Sequence, residues 1–289
     1  MILIDFSGIA IAPVVMGQAK YNDENLIRHI ILNSIRYYRQ KFKQQYGEVV
    51  IVADGGGNWR KDVYPEYKGK RKTAREESKI DWDEAFRIIN MVLEEIKENM
   101  PYKVIHQWGC EADDSIATIV HWTQEFGNYE QVMIVSADRD FRQLQVFDNV
   151  HQFSTVTKKL IKEPDPKGYL QEHILTGCSS DGVPNILSDD DAFINENKRQ
   201  VPLTAKKKTA IINDLKDGEL LYAASWYRNY QRNKKMIDLI DMGCPTPVRE
   251  EIINTFVNQN PSMKKMKVMN YLVKKRCKLL LESAGEFIS

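Results

Sequence analysis

Short, branched apolar runs that end in acid punctuate the first half of this chain. Ile2–Ile4 closes on Asp5 and Val49–Ala53 on Asp54, while Val132–Val135 leads through Ser136 and Ala137 to Asp138 and Asp140. Runs without polar alternation read as strands buried on both faces of a parallel sheet, and Lys103–His106 is a further candidate strand. Between them the period lengthens. Ile27, Ile30, Ile31, Ile35 and Tyr38 recur at helical spacing over Leu26–Phe42, before Gly47. Asp81 opens a second helix with Glu84 as its capping-box partner, and Phe86, Ile89, Leu93 and Ile96 form its inner stripe up to Pro101. Ser115–Phe126 places Ile116, Ile119 and Val120 on one face. Strands alternating with helices predict an α/β fold, a mostly parallel central sheet flanked by helices.

Two stretches break the pattern. In residues 55–79, Gly55–Gly57 suggests a loose turn, and the basic and aromatic residues after it show no apolar face. Beyond about residue 165, past Pro164 and Pro166, the apolar runs become helical: Ala205–Leu215, Leu220–Tyr230, Val248–Val257 and Met263–Leu281. We expect a first domain over 1–165 and a smaller helical domain over 166–289.

The bulk numbers narrow this little. A chain of 289 residues that is 43% hydrophobic supports an ordinary core, and a net charge of +1 means that any nucleic-acid surface must come from charge distribution. Cys110, Cys178, Cys244 and Cys277 form no C-x-x-C pair, which argues against structural zinc and for a reducing interior. Asp5 interrupts the apolar N-terminus, which has no basic leader, so no signal peptide is expected. No uncharged run approaches the ~20 residues that span a bilayer, so no membrane role is expected.

The acids carry the chemistry. One Asp after a strand is commonplace, because Asp favours turns and helix N-caps. Asp5, Asp54 and Asp138 at three strand ends, with Asp140 and the run Glu111-Ala-Asp113-Asp114, are harder to dismiss. They would gather at one sheet edge, where ligands of open α/β folds sit. Close carboxylates cannot all stay ionised without a compensating cation. A carboxylate-only set suits magnesium or manganese, and two ions about 4 Å apart are a standard arrangement for phosphodiester hydrolysis. None of the five histidines lies in these motifs, so no histidine base is indicated. Lys68–Arg75 adds five basic residues and no acid, suited to phosphates. The interleaved Trp59, Tyr64 and Tyr67 suggest stacking on bases. A second acid-free basic segment, Lys264–Lys278, is an amphipathic surface helix or a further nucleic-acid contact.

In order, Leu3-Ile-Asp5-Phe-Ser, Asp54, Tyr64-Pro-Glu-Tyr-Lys68-Gly-Lys-Arg71, Glu111-Ala-Asp-Asp114 and Ser136-Ala-Asp138-Arg-Asp140-Phe resemble the 5′-nuclease (flap endonuclease) superfamily. Arg28–Arg36, Ala74–Ser78 and Asp81-Trp82 add a likeness to the ribonuclease H branch found in T-even-type phages. The likeness is dense from residue 2 to about 185. It implies a PIN-like nuclease core and a helix–three-turn–helix element in the C-terminal domain. It also implies 5′→3′ exonuclease and flap endonuclease activity on RNA–DNA hybrids and nicked or flapped duplex, for primer removal during lagging-strand replication in the cytoplasm of an infected bacterium. A sliding clamp and a single-strand binding protein are the partners it suggests. It would place Asp5, Asp54, Glu111 and Asp113 around one magnesium and Asp138, Asp140 and Asp181 around a second. Asp114 would assist through water, and Lys68 and Arg71 would stand at the scissile phosphate.

Asp181 comes only from the resemblance, and its segment departs from the family pattern. Cys178 stands where the family has a first acid, and Ser188-Asp-Asp-Asp191 stands near the usual glycine-rich hairpin. Asp189–Asp191 reads as a solvated helix start. A PIN-type endoribonuclease shares the acid layout but lacks the Tyr-Lys-Gly-Lys-Arg segment, and a DNA-binding module without catalysis would not need the acids. A haloacid-dehalogenase-type phosphatase would carry a second Asp where Ser7 stands.

Overall fold

The computed structural model describes residues 1–17, 20–217, 221 and 224–288. The chain runs β1 (Ile2–Asp5), α1 (Phe6–Ala10), α2 (Ala12–Val15), α3 (Glu24–Tyr46), β2 (Val49–Ala53), α4 (Trp59–Val63), α5 (Lys70–Glu76), α6 (Trp82–Asn99), β3 (Lys103–His106), α7 (Ala112–Glu125) and β4 (Val132–Val135). It continues through β5 (Val150–Phe153), β6 (Leu160–Ile161), α8 (Pro166–Thr176), α9 (Ala205–Asp217), α10 (Tyr227–Ile237), α11 (Thr246–Asn258), α12 (Lys265–Lys274) and α13 (Lys278–Leu281). The four expected strands form. β5 and β6 were not legible, because Val150-His-Gln-Phe153 breaks the apolar pattern. Gln152 is nevertheless buried, its amide donating to the Ser136 and Asp138 carbonyls at 3.1 and 2.6 Å.

Among the described residues the six strands lie in the order β3-β2-β1-β4-β5-β6, all parallel except β6. The order reverses direction between β1 and β4. This switch point opens a crevice at the carboxyl ends of the strands, where the acids stand.

Helices cover both faces. On one, α3, α6 and the C-terminal α12 and α13 pack on Ile2, Ile4, Val49, Ile51, Met133 and Val135. On the other, α7, α10 and α11 pack on Leu3, Val50, Val52, Ile105, Val132 and Ile134. The helices α10 to α13 therefore share the sheet's two cores. Val268, Tyr271, Leu272, Leu280 and Phe287 are all buried against α3 and α6, and such a side chain is worth about 1.5–3 kcal/mol. The same junction carries ions: Arg28 of α3 meets Glu95 of α6 at 2.7 Å, and Glu95 also takes Tyr271 of α12 and Lys275, just past its end, at 2.8 and 2.5 Å. A third, small cluster of Leu175, Ile186, Ile211 and Trp226 belongs to the C-terminal domain alone.

Three helical expectations shift. Met263–Leu281 is two helices, broken at Arg276, which takes φ 55°. The helix expected over Leu220–Tyr230 runs over Tyr227–Ile237, and Leu220, Tyr222 and Ala223 lie outside the described residues. Asp189–Asp191 starts no helix; it lies in a run of turns between α8 and α9. Nor is Gly55–Gly57 loose. Gly55 N–H donates to the Cys110 carbonyl at 3.1 Å and Gly109 N–H to the Gly56 carbonyl at 2.7 Å. A Cβ on Gly55 would meet the Gln107 carbonyl at 1.7 Å. Glycine lets the loops after β2 and β3 close on each other, which brings Asp54 beside the start of α7.

Candidate functional site

Each acid is placed by local structure. Asp5 ends β1 and caps α1; its carboxylate takes the Ser136 hydroxyl at 2.8 Å and the Gly8 amide at 3.4 Å. Asp54 ends β2 and takes the Ser7 hydroxyl at 2.7 Å and the Ala112 amide at 2.9 Å, so it holds the first turn of α7. Glu111, the residue before α7, accepts from Tyr67 at 2.7 Å and bonds Lys68. Asp113 faces Arg60 at 3.5 Å. Beyond β4, the Asp138 carboxylate takes the Asp140 amide at 2.9 Å. Asp181 takes Arg71 at 2.9 Å, Tyr67 at 3.4 Å and Lys68 at 3.6 Å. Lys68 thus bridges Glu111 and Asp181, from a left-handed backbone with φ 56°. Its amide donates to the Asp181 carbonyl at 2.7 Å, which fixes that turn.

The electrostatics are those of crowded carboxylates. Burial, then Asp54, pushes Asp5 up to about 7. Burial and Asp140 push Asp138 up to about 6. Burial lifts Asp113 well above the carboxylate range even though Arg60 opposes it. Glu111 goes the other way: burial resists its charge, but Lys68 and Arg60 outweigh burial and hold it below its usual value. The donors are all carboxylate oxygens, and crowding by neighbouring carboxylates helps raise Asp5, Asp113 and Asp138. Hard divalent cations fit such a set.

Asp114 does not join them. It is 2% exposed, and its Oδ2 takes Arg60 at 2.7 Å, the Trp59 indole at 3.1 Å and the Glu111 amide at 3.1 Å. An ion reaching that oxygen would have to displace a guanidinium, so Asp114 leaves the ligand set and acts as the anchor of Arg60. Arg60 was the missed residue. It is buried beneath the cluster, where it touches Glu111, Asp113 and Asp114 and donates to the Met236 carbonyl at 3.0 Å. In the sequence it is one base among many.

The expected stacking aromatics also fail. Trp59, Tyr64 and Tyr67 are buried, with Tyr67 bonded to the acids and Tyr64 to the Gly182 and Asp190 carbonyls at 3.0 and 2.5 Å. An exposed ring near these loops is Trp108, 73% accessible and lying against Gly56 and Gly57. α5 buries no side chain, so Lys70, Arg71, Lys72 and Arg75 sit on an exposed basic helix, tied to its surroundings by Arg71 on Asp181 and by Arg75 over the Trp82 and Phe86 rings.

A histidine is present after all. His173 of α8 meets Asp140 at 2.9 Å, beside Cys178. Burial disfavours its charge, but Asp140 and the Cys178 sulfur push it up to about 10. The acids at 189–191 are paired with bases. Asp190 is paired with Arg228 at 2.6 Å and with Arg232, and Asp189 and Asp191 with Lys198 at 3.0 and 2.8 Å.

The model of the 5′–3′ exonuclease N-terminal resolvase-like domain matches residues 16–172, just over half of the chain, and that of the T4 RNase H C-terminal domain matches residues 169–287. The chain is a member of the 5′–3′ exonuclease family. Ribonuclease H of Enterobacteria phage T4 is 33% identical over 99% of this chain and 95% of its own length. The flap endonuclease Xni of Shewanella denitrificans is 31% identical over 57% of this chain and 64% of its own length. Among solved structures, T5 5′-exonuclease with divalent metal ions (zinc) bound superposes with a TM-score of 0.64 at 18% identity, over 89% of this chain and 98% of that one. The bacteriophage T5 D15 flap endonuclease in a complex with DNA and metal ions superposes with the same TM-score at 17% identity, over 89% and 97%. These likenesses show the fold of this 5′–3′ exonuclease family member: a nuclease core with a C-terminal helical domain.

Proposed function

We propose that this nuclease is a magnesium-dependent 5′→3′ exonuclease and flap endonuclease of the ribonuclease H type. It hydrolyses phosphodiesters in RNA–DNA hybrids and in nicked or flapped duplex. Its setting is primer removal on the lagging strand, in the cytoplasm of an infected bacterium, beside a sliding clamp and a single-strand binding protein. One observation carries the reading: Asp5, Asp54, Glu111, Asp113, Asp138, Asp140 and Asp181 converge at the switch point under a basic helix. The T4 and Xni relatives and the DNA-bound T5 structure support it.

Asp5, Asp54, Glu111 and Asp113 would hold one magnesium and Asp138, Asp140 and Asp181 the other, with manganese as a substitute. When bound, two such ions supply charge that activates water and stabilises the leaving oxygen. The protein does the rest. Ser7 and Ala112 fix both oxygens of Asp54, and Tyr67 orients Glu111. Lys68, 13% exposed between Glu111 and Asp181, is placed to exchange a carboxylate for a phosphate oxygen when substrate arrives. Arg71, half exposed on α5, meets the phosphate from above.

The test is cleavage of 5′-labelled hybrid, nicked duplex and flap substrates, with magnesium or with chelator. Short 5′ products from hybrid and nick, and a released flap, are expected only with magnesium. Internal cuts in single-stranded RNA alone would point to a PIN-type endoribonuclease, and binding without cleavage to an inactive module.

A further inference from the structure

Asp140, His173 and Cys178 place a carboxylate oxygen, an imidazole nitrogen and a thiol sulfur within 4.8 Å of one another. Three separate segments are held to do this. Asp140 opens the 3-10 turn after β4, its amide bound to the Asp138 carboxylate at 2.9 Å. His173 stands on α8. Cys178 follows Gly177, where the chain reverses at φ 73°, and a Cβ there would meet the Val183 carbonyl at 2.3 Å. Reciprocal backbone bonds of 2.8 and 2.9 Å between Cys178 and Val183 then fix the main chain that carries the sulfur. All three residues are partly buried. The Ser180 hydroxyl, 3.0 Å from the Cys178 sulfur, is that sulfur's other near polar neighbour.

The donor set differs in kind from the oxygen-only cluster beside it. One sulfur, one nitrogen and one oxygen suit a borderline-soft ion, and three protein ligands with an open fourth position are a common zinc arrangement. Magnesium takes oxygen and is poorly served by a thiolate. We infer that Asp140, His173 and Cys178 form a site for a zinc-like divalent cation, adjoining the hard-cation cluster and sharing Asp140 with it. The site stands on this geometry whether or not the nuclease reading holds. Because ligands must shed protons to bind, loading releases them, and a zinc ion there withdraws Asp140 from the neighbouring oxygen cluster.

Cobalt(II) is the probe, since it replaces zinc and reports a thiolate ligand by a near-ultraviolet charge-transfer band. Titration of the full-length, metal-stripped protein should give that band, stable to a large excess of magnesium and erased by zinc. Cys178→Ser should abolish the band, His173→Gln should weaken cobalt binding at least tenfold, and Cys110→Ser should leave it unchanged. Unchanged circular dichroism of each variant separates ligand loss from unfolding. Absence of the band in the wild type would reduce the cluster to a His173–Asp140 ion pair and overturn the inference. So would a band that survives in Cys178→Ser or that magnesium removes.

Discussion

The two halves of the acid cluster are built differently. Asp5, Asp54, Glu111 and Asp113 sit on the ends of β1 and β2 and on the first turn of α7, with Arg60 buried under them. Asp138, Asp140 and Asp181 sit on turns beyond β4 and α8, and their neighbours include His173 and Cys178. Groups fixed on strands and helix starts are held more accurately than groups on turns. The first half is thus a rigid, oxygen-only frame with its own internal cation, and the second a more adaptable one with mixed donors. Lys68 and Tyr67 join them, each contacting Glu111 on one side and Asp181 on the other.

The largest break comes from the rigid half. Asp113→Asn keeps the size of the side chain and removes its charge from the centre of the frame. Hydrolysis should fall by on the order of 10³-fold, the scale of losing a central electrostatic group, while substrate affinity stays within a few-fold. Single-turnover cleavage and equilibrium binding check the two separately, and wild-type cutting by the variant would remove Asp113 from the reaction.

Arg60→Met asks whether the frame depends on its internal cation. The change leaves Asp113 and Asp114 without their buried partner, and breaking such a network typically costs about 3–5 kcal/mol. Urea unfolding should show a loss of that size. A loss below about 1 kcal/mol, the scale of a surface pair, would mean that the acids do not need Arg60.

How much of this was readable in the sequence follows from which contacts are local. β1 to β4 were legible because strands buried on both faces must be continuously apolar, and the acids were legible because each ends such a strand or starts α7. Gln152 hid β5, since its polarity is satisfied by carbonyls of a neighbouring strand's loop. Arg60 meets Asp114 across 54 positions and His173 meets Asp140 across 33; no periodicity carries such pairings. The buried Trp59, Tyr64 and Tyr67 mislead for a related reason. An aromatic in a basic loop looks like a stacking surface until the fold supplies carboxylates and carbonyls for its polar tip.

Lys68→Ala tests the bridge between the halves. Cleavage should slow by about 10²-fold, as expected for removing one charged group from a developing transition state, with a smaller change in affinity. Equal losses in rate and affinity would make Lys68 a docking residue only.

The smallest effect bears on the crowding itself. Asp5 titrates near 7 in the folded protein, against an ordinary value of 3.8. The folded state therefore holds a proton that the unfolded state has lost, and stability falls as pH rises from about 4 through about 7. The full shift would amount to roughly 4 kcal/mol. Because Asp5 keeps some solvent access, about 1–2 kcal/mol should be visible. In chelator at pH 8, Asp5→Asn should be more stable than wild type by that amount, and the gain should vanish at about pH 4. Added magnesium should stabilise wild type more than the variant, since it offsets a repulsion that the variant has already lost. Thermal unfolding across pH, with chelator and with magnesium, measures all three. A variant less stable than wild type at pH 8 would show that Asp5 is held by the Ser136 and Gly8 hydrogen bonds more strongly than it is repelled by Asp54 and Asp138.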